Sequence, residues 1–165
     1  MSPYLRTGLI AAIAAAVIDQ AVKLWLLHGL DLATLGSVRL APFFDIVLAW
    51  NTGISYGWFQ NDSEAGRLVL IAVKVAAVIG LGVWLLRAQT RIAALGLGLI
   101  IGGALGNGID RALYGAVMDF AFFHVEIGGK AFNWYVFNLA DVAIVAGVAA
   151  LLYDSVVGLP AAKAP

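Results

Sequence analysis

Four apolar stretches constrain this chain more than any other feature of its sequence. They lie at about residues 5–27, 68–86, 92–109 and 135–157. Because a helix needs roughly 20 apolar residues to cross a bilayer, each stretch predicts a transmembrane helix. The mean hydropathy of +0.94 lies well above that of soluble domains. We therefore expect a single membrane domain over residues 1–165, with outer loops at about 28–66 and 110–134.

The two outer loops carry strand patterns rather than simple linker sequence. From Ser37 to Trp50, apolar residues recur at every second position, and Pro42 interrupts the run. From Phe122 to Trp134, a second extended run is interrupted by Gly128-Gly129, a pair that favours a tight hairpin. The predicted fold class is an all-α integral membrane protein with four transmembrane helices and a small extracytoplasmic β platform.

The basic residues predict the orientation of the helices. Arg6, Arg87, Arg91 and Lys163 all fall on one side if both termini face the cytoplasm. The first apolar stretch could instead be a cleavable signal peptide, because Arg6 precedes an Ala-rich run. That run continues well past Ala16 and three further spans follow, so a permanent first helix is the expectation.

Several kinds of chemistry are excluded or weakened by composition. The formal net charge is zero, so nothing indicates nucleic-acid binding, and the absence of cysteine excludes disulfides and thiolate metal sites. His28 and His124 are isolated, so no metal site is expected. The serines have no neighbouring lysine or histidine motif. Paired carboxylates remain as the chemistry that the chain can support.

Polar residues cluster at the predicted outer ends of two helices. Asn107 and Asp110 are three residues apart, with Arg111 adjacent, and Asn138 and Asp141 repeat that spacing. By spacing alone, Asp110 and Asp141 form the natural pair. These residues could instead have a structural role, because asparagines and aspartates can hydrogen-bond between helices and cap helix ends. Asp119 lies in the predicted loop between them, where a solvated carboxylate would be the default.

Two further patterns concern the helices themselves. Asp19 and Lys23 are four residues apart, the favourable order for an ion pair within a helix. The pair could simply neutralise itself while Lys23 extends outward, or Asp19 could orient a group in a site. Gly98, Gly102 and Gly106 share one helix face, which predicts close packing against another helix.

Two carboxylates held close together in a poorly solvated place cannot both ionise, so one keeps a proton while the other acts as a base. Such a pair can activate water and protonate a leaving amine, as in an aspartic peptidase. The same carboxylates could relay protons in a small transporter or channel, although a relay should continue across the bilayer. A non-catalytic scaffold with a polar packing layer is the third possibility.

Five short blocks resemble those of the lipoprotein signal peptidase (signal peptidase II) family, a family of bacterial aspartic peptidases. Together they span nearly the whole chain in the expected order. The blocks are Asp19-Gln20-x-x-Lys23, Asn51-Thr52-Gly53, Gly106-Asn107-x-x-Asp110-Arg111, Val117-Met118-Asp119-Phe120 and Phe137-Asn138-x-Ala140-Asp141. Each block is weak alone, but five in order are highly specific.

The resemblance implies that Asp119 and Asp141 form the catalytic dyad, with Asp110 in a supporting role. It implies a lipid-modified prolipoprotein as substrate, cut just before the lipidated cysteine, and globomycin as an inhibitor. No cofactor or metal is expected, and membrane lipid is the surrounding partner. The enzyme would lie in the bacterial inner membrane with its site near the outer face. The residues implied to bind substrate or support the site are Asp19, Lys23, Asn51, Asn107, Asp110, Arg111 and Asn138.

Overall fold

The computed structural model describes residues 2–52 and 64–157, without the side chains of residues 64–74. The predictions that concern Gly53 and Lys163 therefore lie outside the described residues. The helices are α1 Pro3–Leu24, α2 Leu32–Leu35, α3 Glu64–Leu86, α4 Arg91–Tyr114 and α5 Leu139–Val157. The strands are β1 Ser37–Ala41, β2 Phe44–Asn51, β3 Val117–Ile127 and β4 Lys130–Phe137. A π-helical segment, Trp25–Gly29, extends α1.

Three helical segments within the described residues are long and apolar enough to cross a membrane. They are Pro3–Gly29, Arg91–Tyr114 and Leu139–Val157. α3 has 23 residues, and the part whose side chains are described, Val75–Leu86, is also apolar. The chain is therefore a membrane protein with several apolar helices, and each predicted apolar stretch lies mainly within one helix.

α4 packs closely against α1 through its glycine face. A Cβ atom on Gly98 would overlap the carbonyl oxygen of Gly8, and one on Gly102 would overlap that of Ala12. A Cβ on Gly106 would come within 2.8 Å of a carboxylate oxygen of Asp19. The prediction of close helix packing is confirmed, and this packing brings the polar residues of α1 beside those of α4.

The four strands form one antiparallel sheet in the order β1-β2-β3-β4. Pro42 lies in the turn between β1 and β2, and Gly128 and Gly129 form the turn between β3 and β4 with φ of 60° and 76°. The predicted hairpin at Gly128-Gly129 is confirmed, and the predicted interruption at Pro42 separates two strands. In the register between β2 and β3, Asn51 pairs with Val117 and Ala49 with Asp119, so Asn51 ends its strand beside Asp119.

An apolar core anchors this sheet to the end of the first membrane helix. The buried side chains of Leu26, Leu32, Ile46, Met118 and Phe120 belong to this core. An open groove of about 560 Å³ lies against the sheet. Its lining is mostly aromatic and includes Phe43, Phe123, Phe132, Trp134 and Phe137.

Three details of the predicted fold are wrong. The class is not strictly all-α, because the four-stranded sheet is a substantial part of the fold. Tyr135 lies in β4, so the last helix begins at Leu139 instead. α4 continues five residues beyond Ile109 to Tyr114, which places Asp110 and Arg111 in a helix and not in an outer loop.

Candidate active site

Asn138 connects the two aspartates at the centre of the site. Its side-chain Nδ2 donates to Oδ1 of Asp119 at 2.6 Å, and its Oδ1 accepts from the backbone N–H of Asp141 at 3.0 Å. Asp119 lies in β3 and Asp141 in the first turn of α5. The single residue between strand and helix therefore holds both acids at the place where the sheet meets the membrane helices.

Asp119 is buried in a setting that favours its protonated form. Its side chain accepts from Asn138 and from Nδ2 of Asn51 at 3.2 Å, and the residue is only 5% exposed. Burial raises the pKa of the Asp119 carboxyl, and the negative charge of Asp141 raises it further. The two amide hydrogen bonds and the charge of Lys23 act in the opposite direction. Asp141 therefore lies close enough to influence the ionisation of Asp119.

Asp141 is oriented by three polar contacts. Its Oδ1 accepts from Nδ2 of Asn107 at 2.9 Å, and its Oδ2 accepts from the backbone N–H of Asn138 at 3.2 Å. The backbone N–H of Asp141 donates in return to the Asn138 side chain, which completes a capping box at the start of α5. The expected capping role of the Asn138–Asp141 spacing is thus present, and the same contacts aim the carboxylate.

A buried ion triad lies beside the two carboxylates. Nζ of Lys23 is 2.8 Å from Oδ2 of Asp19 and 2.7 Å from Oδ2 of Asp110. The predicted pairing of Asp19 with Lys23 is confirmed, but Lys23 is 2% exposed and does not extend outward. Asp110 is paired with Lys23, which makes it a poor partner for Asp141 despite the matching sequence spacing.

Arg111 provides positive charge at the edge of the site. Its Nη1 donates to the backbone oxygen of Asn107 at 3.3 Å, and its guanidinium lies within electrostatic reach of Asp119, Asp141 and Asp110. The side chain is only half-buried, so its remaining N–H donors can meet an incoming group. Within the described residues, no group of three or more His, Asp or Glu side chains could hold a metal ion.

Comparison with known proteins matches this chain to one family. A sequence model described as signal peptidase (SPase) II matches residues 11–157. The chain belongs to the signal peptidase II family. It is 64% identical to the lipoprotein signal peptidase of Nitrobacter hamburgensis and 62% identical to that of Rhodopseudomonas palustris, over the whole length of each. The lipoprotein signal peptidase of Methylorubrum extorquens is 56% identical, with 97% of this chain and 90% of the relative covered.

Solved structures are similar to this signal peptidase II fold. A bacterial membrane enzyme determined by the in meso method at 2.3 Å has a TM-score of 0.72 and 25% identity, with 96% of this chain and 94% of the other covered. A second such structure, at 1.9 Å, has a TM-score of 0.70 and 25% identity. It covers 90% of this chain and 92% of the other. Of the three functions that the carboxylates left open, family membership selects the peptidase over the transporter and the scaffold.

The structure brings all nine predicted site residues of this signal peptidase together. One further residue, Gln20, belongs to the block around Asp19 but was not predicted to take part in the site. Its Nε2 donates to Oδ1 of Asp110 at 2.7 Å, to the backbone oxygen of Gly106 at 3.1 Å and to Oδ2 of Asp19 at 3.3 Å. The available signal was a polar residue adjacent to Asp19 inside a helix that is otherwise apolar.

Proposed function

We propose that this signal peptidase uses Asp119 and Asp141 as its catalytic dyad and cuts its substrate immediately before a diacylglyceryl-modified cysteine. Removal of signal peptides from prolipoproteins follows from membership of the family. The observation that carries the assignment of the dyad is the bridge through Asn138. It holds a buried carboxylate whose pKa is raised beside a second carboxylate at the membrane face of the sheet.

The proposed reaction requires one proton shared by the two acids. The ionised carboxylate accepts a proton from water as the water oxygen attacks the scissile carbonyl carbon. The protonated carboxyl donates to the carbonyl oxygen, and a gem-diol intermediate forms. When the C–N bond breaks, a proton passes to the leaving amine and the carbonyl re-forms. Because the two groups are coupled, their ionisation belongs to the pair and not to either residue alone.

The neighbouring polar residues suit the binding of a peptide backbone. We propose that Arg111 holds carbonyl oxygens of the peptide or of the lipid, since a guanidinium offers several rigid donors. Asn51 and Asn107 support the dyad through their hydrogen bonds to Asp119 and Asp141. The β platform, with its aromatic groove, would hold the lipid-bearing substrate from the outer side. Globomycin is expected to inhibit by occupying the same site.

The proposed topology has four membrane spans, with α3 as the span that accompanies the three segments identified by length and hydropathy. Arg6, Arg87 and Arg91 favour a cytoplasmic location for both termini. The dyad lies near the C-terminal end of α4 and the N-terminal end of α5, which are the ends beside the sheet. With both termini in the cytoplasm, we propose that the active site lies near the outer face of the bacterial inner membrane.

The test is cleavage of a purified lipidated prolipoprotein by the wild type, Asp119→Asn and Asp141→Asn in detergent. Each variant should fold yet lose cleavage, because an amide cannot exchange the proton that the reaction needs. Glu126→Gln is the matched control, since it makes the same change at an exposed position of β3. Cleavage at the wild-type rate by either dyad variant would show that the assignment is wrong.

A further inference from the structure

The residue immediately before each proposed catalytic acid is held by the same buried ion triad. The backbone N–H of Met118, next to Asp119, donates to Oδ2 of Asp110 at 3.0 Å. The backbone N–H of Ala140, next to Asp141, donates to Oδ1 of Asp19 at 2.9 Å. One acid of the triad therefore restrains the strand that carries the first catalytic group. The other acid restrains the helix that carries the second.

Lys23 joins these two restraints into one unit. Its ammonium lies 2.8 Å from Asp19 and 2.7 Å from Asp110, so the positions of the two acids are set by a single cation. All three side chains are essentially removed from solvent, with exposures of 0%, 2% and 1% for Asp19, Lys23 and Asp110. A shift of the ammonium would therefore be transmitted to both backbone segments at once.

The same ammonium also orients Asn107. Nζ of Lys23 donates to Oδ1 of Asn107 at 3.3 Å, and Nδ2 of Asn107 donates to Oδ1 of Asp141 at 2.9 Å. Because an ammonium only donates, the amide oxygen must face Lys23 and the NH₂ group must face the carboxylate. Lys23 thus reaches Asp141 by two routes, through Asn107 and through the Asp19–Ala140 contact.

We propose that Lys23, with Asp19 and Asp110, is a positioning device that sets the separation and orientation of Asp119 and Asp141. The inference rests on the proposed dyad. A buried ion triad is a poor source of stability, since neutral groups of similar shape often fold equally well or better. Precise placement is a stronger reason for it, because a misplacement of about 1 Å can cost about a hundredfold in rate.

A neutral triad separates positioning from stability. The variant Asp19→Asn/Lys23→Met/Asp110→Asn removes all three charges and keeps an acceptor oxygen opposite each of the two backbone N–H groups. It should remain folded at the assay temperature, as thermal unfolding in detergent would show, because neutral groups of similar shape often replace a buried ion group without loss of the fold. Its kcat for lipidated prolipoprotein should fall about a hundredfold, with KM little changed. A kcat equal to that of the wild type would overturn the proposal.

Milder variants decide the question if the neutral triad does not fold. Asp19→Asn and Asp110→Asn each leave Lys23 paired with one acid, and each should lower kcat at least about tenfold while KM is retained. A loss of thermal stability with kcat unchanged would overturn the positioning role. Asp119→Asn and Asp141→Asn in the same assay keep the two hypotheses apart. If they are inactive while the triad variants cleave normally, only the positioning proposal fails.

Discussion

The side-chain amide of Asn138 lies 2.6 Å from Oδ1 of Asp119, while the oxygen of the same amide caps the helix that carries Asp141. The orientation of this amide is fixed, because reversing it would place NH₂ against the backbone N–H of Asp141 and oxygen against the carboxylate. Helix capping and dyad geometry therefore depend on one residue. This explains how a short Asn-x-x-Asp unit can serve both structure and chemistry.

The double role of Asn138 predicts that its two functions can be separated. Asn138→Ala should lower stability by about 1 kcal/mol through loss of the cap and by about 1 kcal/mol more through loss of the hydrogen bond to Asp119. It should also reduce kcat about tenfold to a hundredfold, since the Asp119 carboxyl loses a contact that orients it beside Asp141. Asn138→Ser is the matched control, because serine caps helices but its short hydroxyl does not reach Asp119. For Asn138→Ser, thermal unfolding should show part of the stability restored while the cleavage rate stays low. Restoration of both stability and activity would contradict this account.

Close packing of α1 against α4 predicts opposite effects for two glycines of one helix. Gly102→Ala should destabilise the protein by about 1–3 kcal/mol, because the new methyl overlaps the carbonyl oxygen of Ala12 and pushes α1 away. Gly108→Ala is the matched control, since no atom lies within 4 Å of its Cβ position. It should stabilise α4 by about 0.5–1 kcal/mol. Thermal unfolding in detergent measures both changes. Equal effects of the two substitutions would show that α1 and α4 can accommodate a methyl group at Gly102 without loss of stability.

Sequence patterns predicted the elements better than their ends. Long apolar runs located the helices, and Pro42 and Gly128-Gly129 located the turns, because these signals are local in the chain. Tyr135 was misassigned because the apolar end of β4, from Tyr135 to Phe137, leads almost directly into the apolar sequence of α5. The end of α4 was misplaced because polar residues interrupt the apolar run, although Asp110 is neutralised inside the helix by Lys23.

The partners within the site could not be predicted from spacing. The contact between Asp19 and Ala140 joins residues 121 positions apart, and the contact between Lys23 and Asp110 joins residues 87 apart. Spacing favoured Asp110 as the partner of Asp141, but the packing of α1 against α4 pairs Asp110 with Lys23. Family resemblance, and not periodicity, predicted Asp119 as a catalytic residue. Asp119 is buried only because β3 pairs within the sheet, which no local sequence pattern shows.

The raised pKa of Asp119 predicts how stability depends on pH. An acid whose pKa is raised by folding binds its proton more tightly in the folded protein than in the unfolded chain. Its ionisation costs no stability below the unfolded-state pKa of about 3.9, and the full cost is present once the pH exceeds the folded-state pKa. The contribution of Asp119 to stability therefore falls as the pH rises from about 4 towards neutrality.

Comparison of the wild type with Asp119→Asn isolates this effect, because the amide does not ionise. The amide introduced at position 119 keeps one acceptor oxygen for the side chains of Asn51 and Asn138, and these contacts do not change with pH. Its Tm in detergent should therefore rise relative to that of the wild type between about pH 4 and neutrality. Glu126→Gln, at an exposed position of the same strand, should show little such change. A difference in Tm between Asp119→Asn and the wild type that is constant, or that falls with pH, would show that burial does not disfavour the charged form of Asp119.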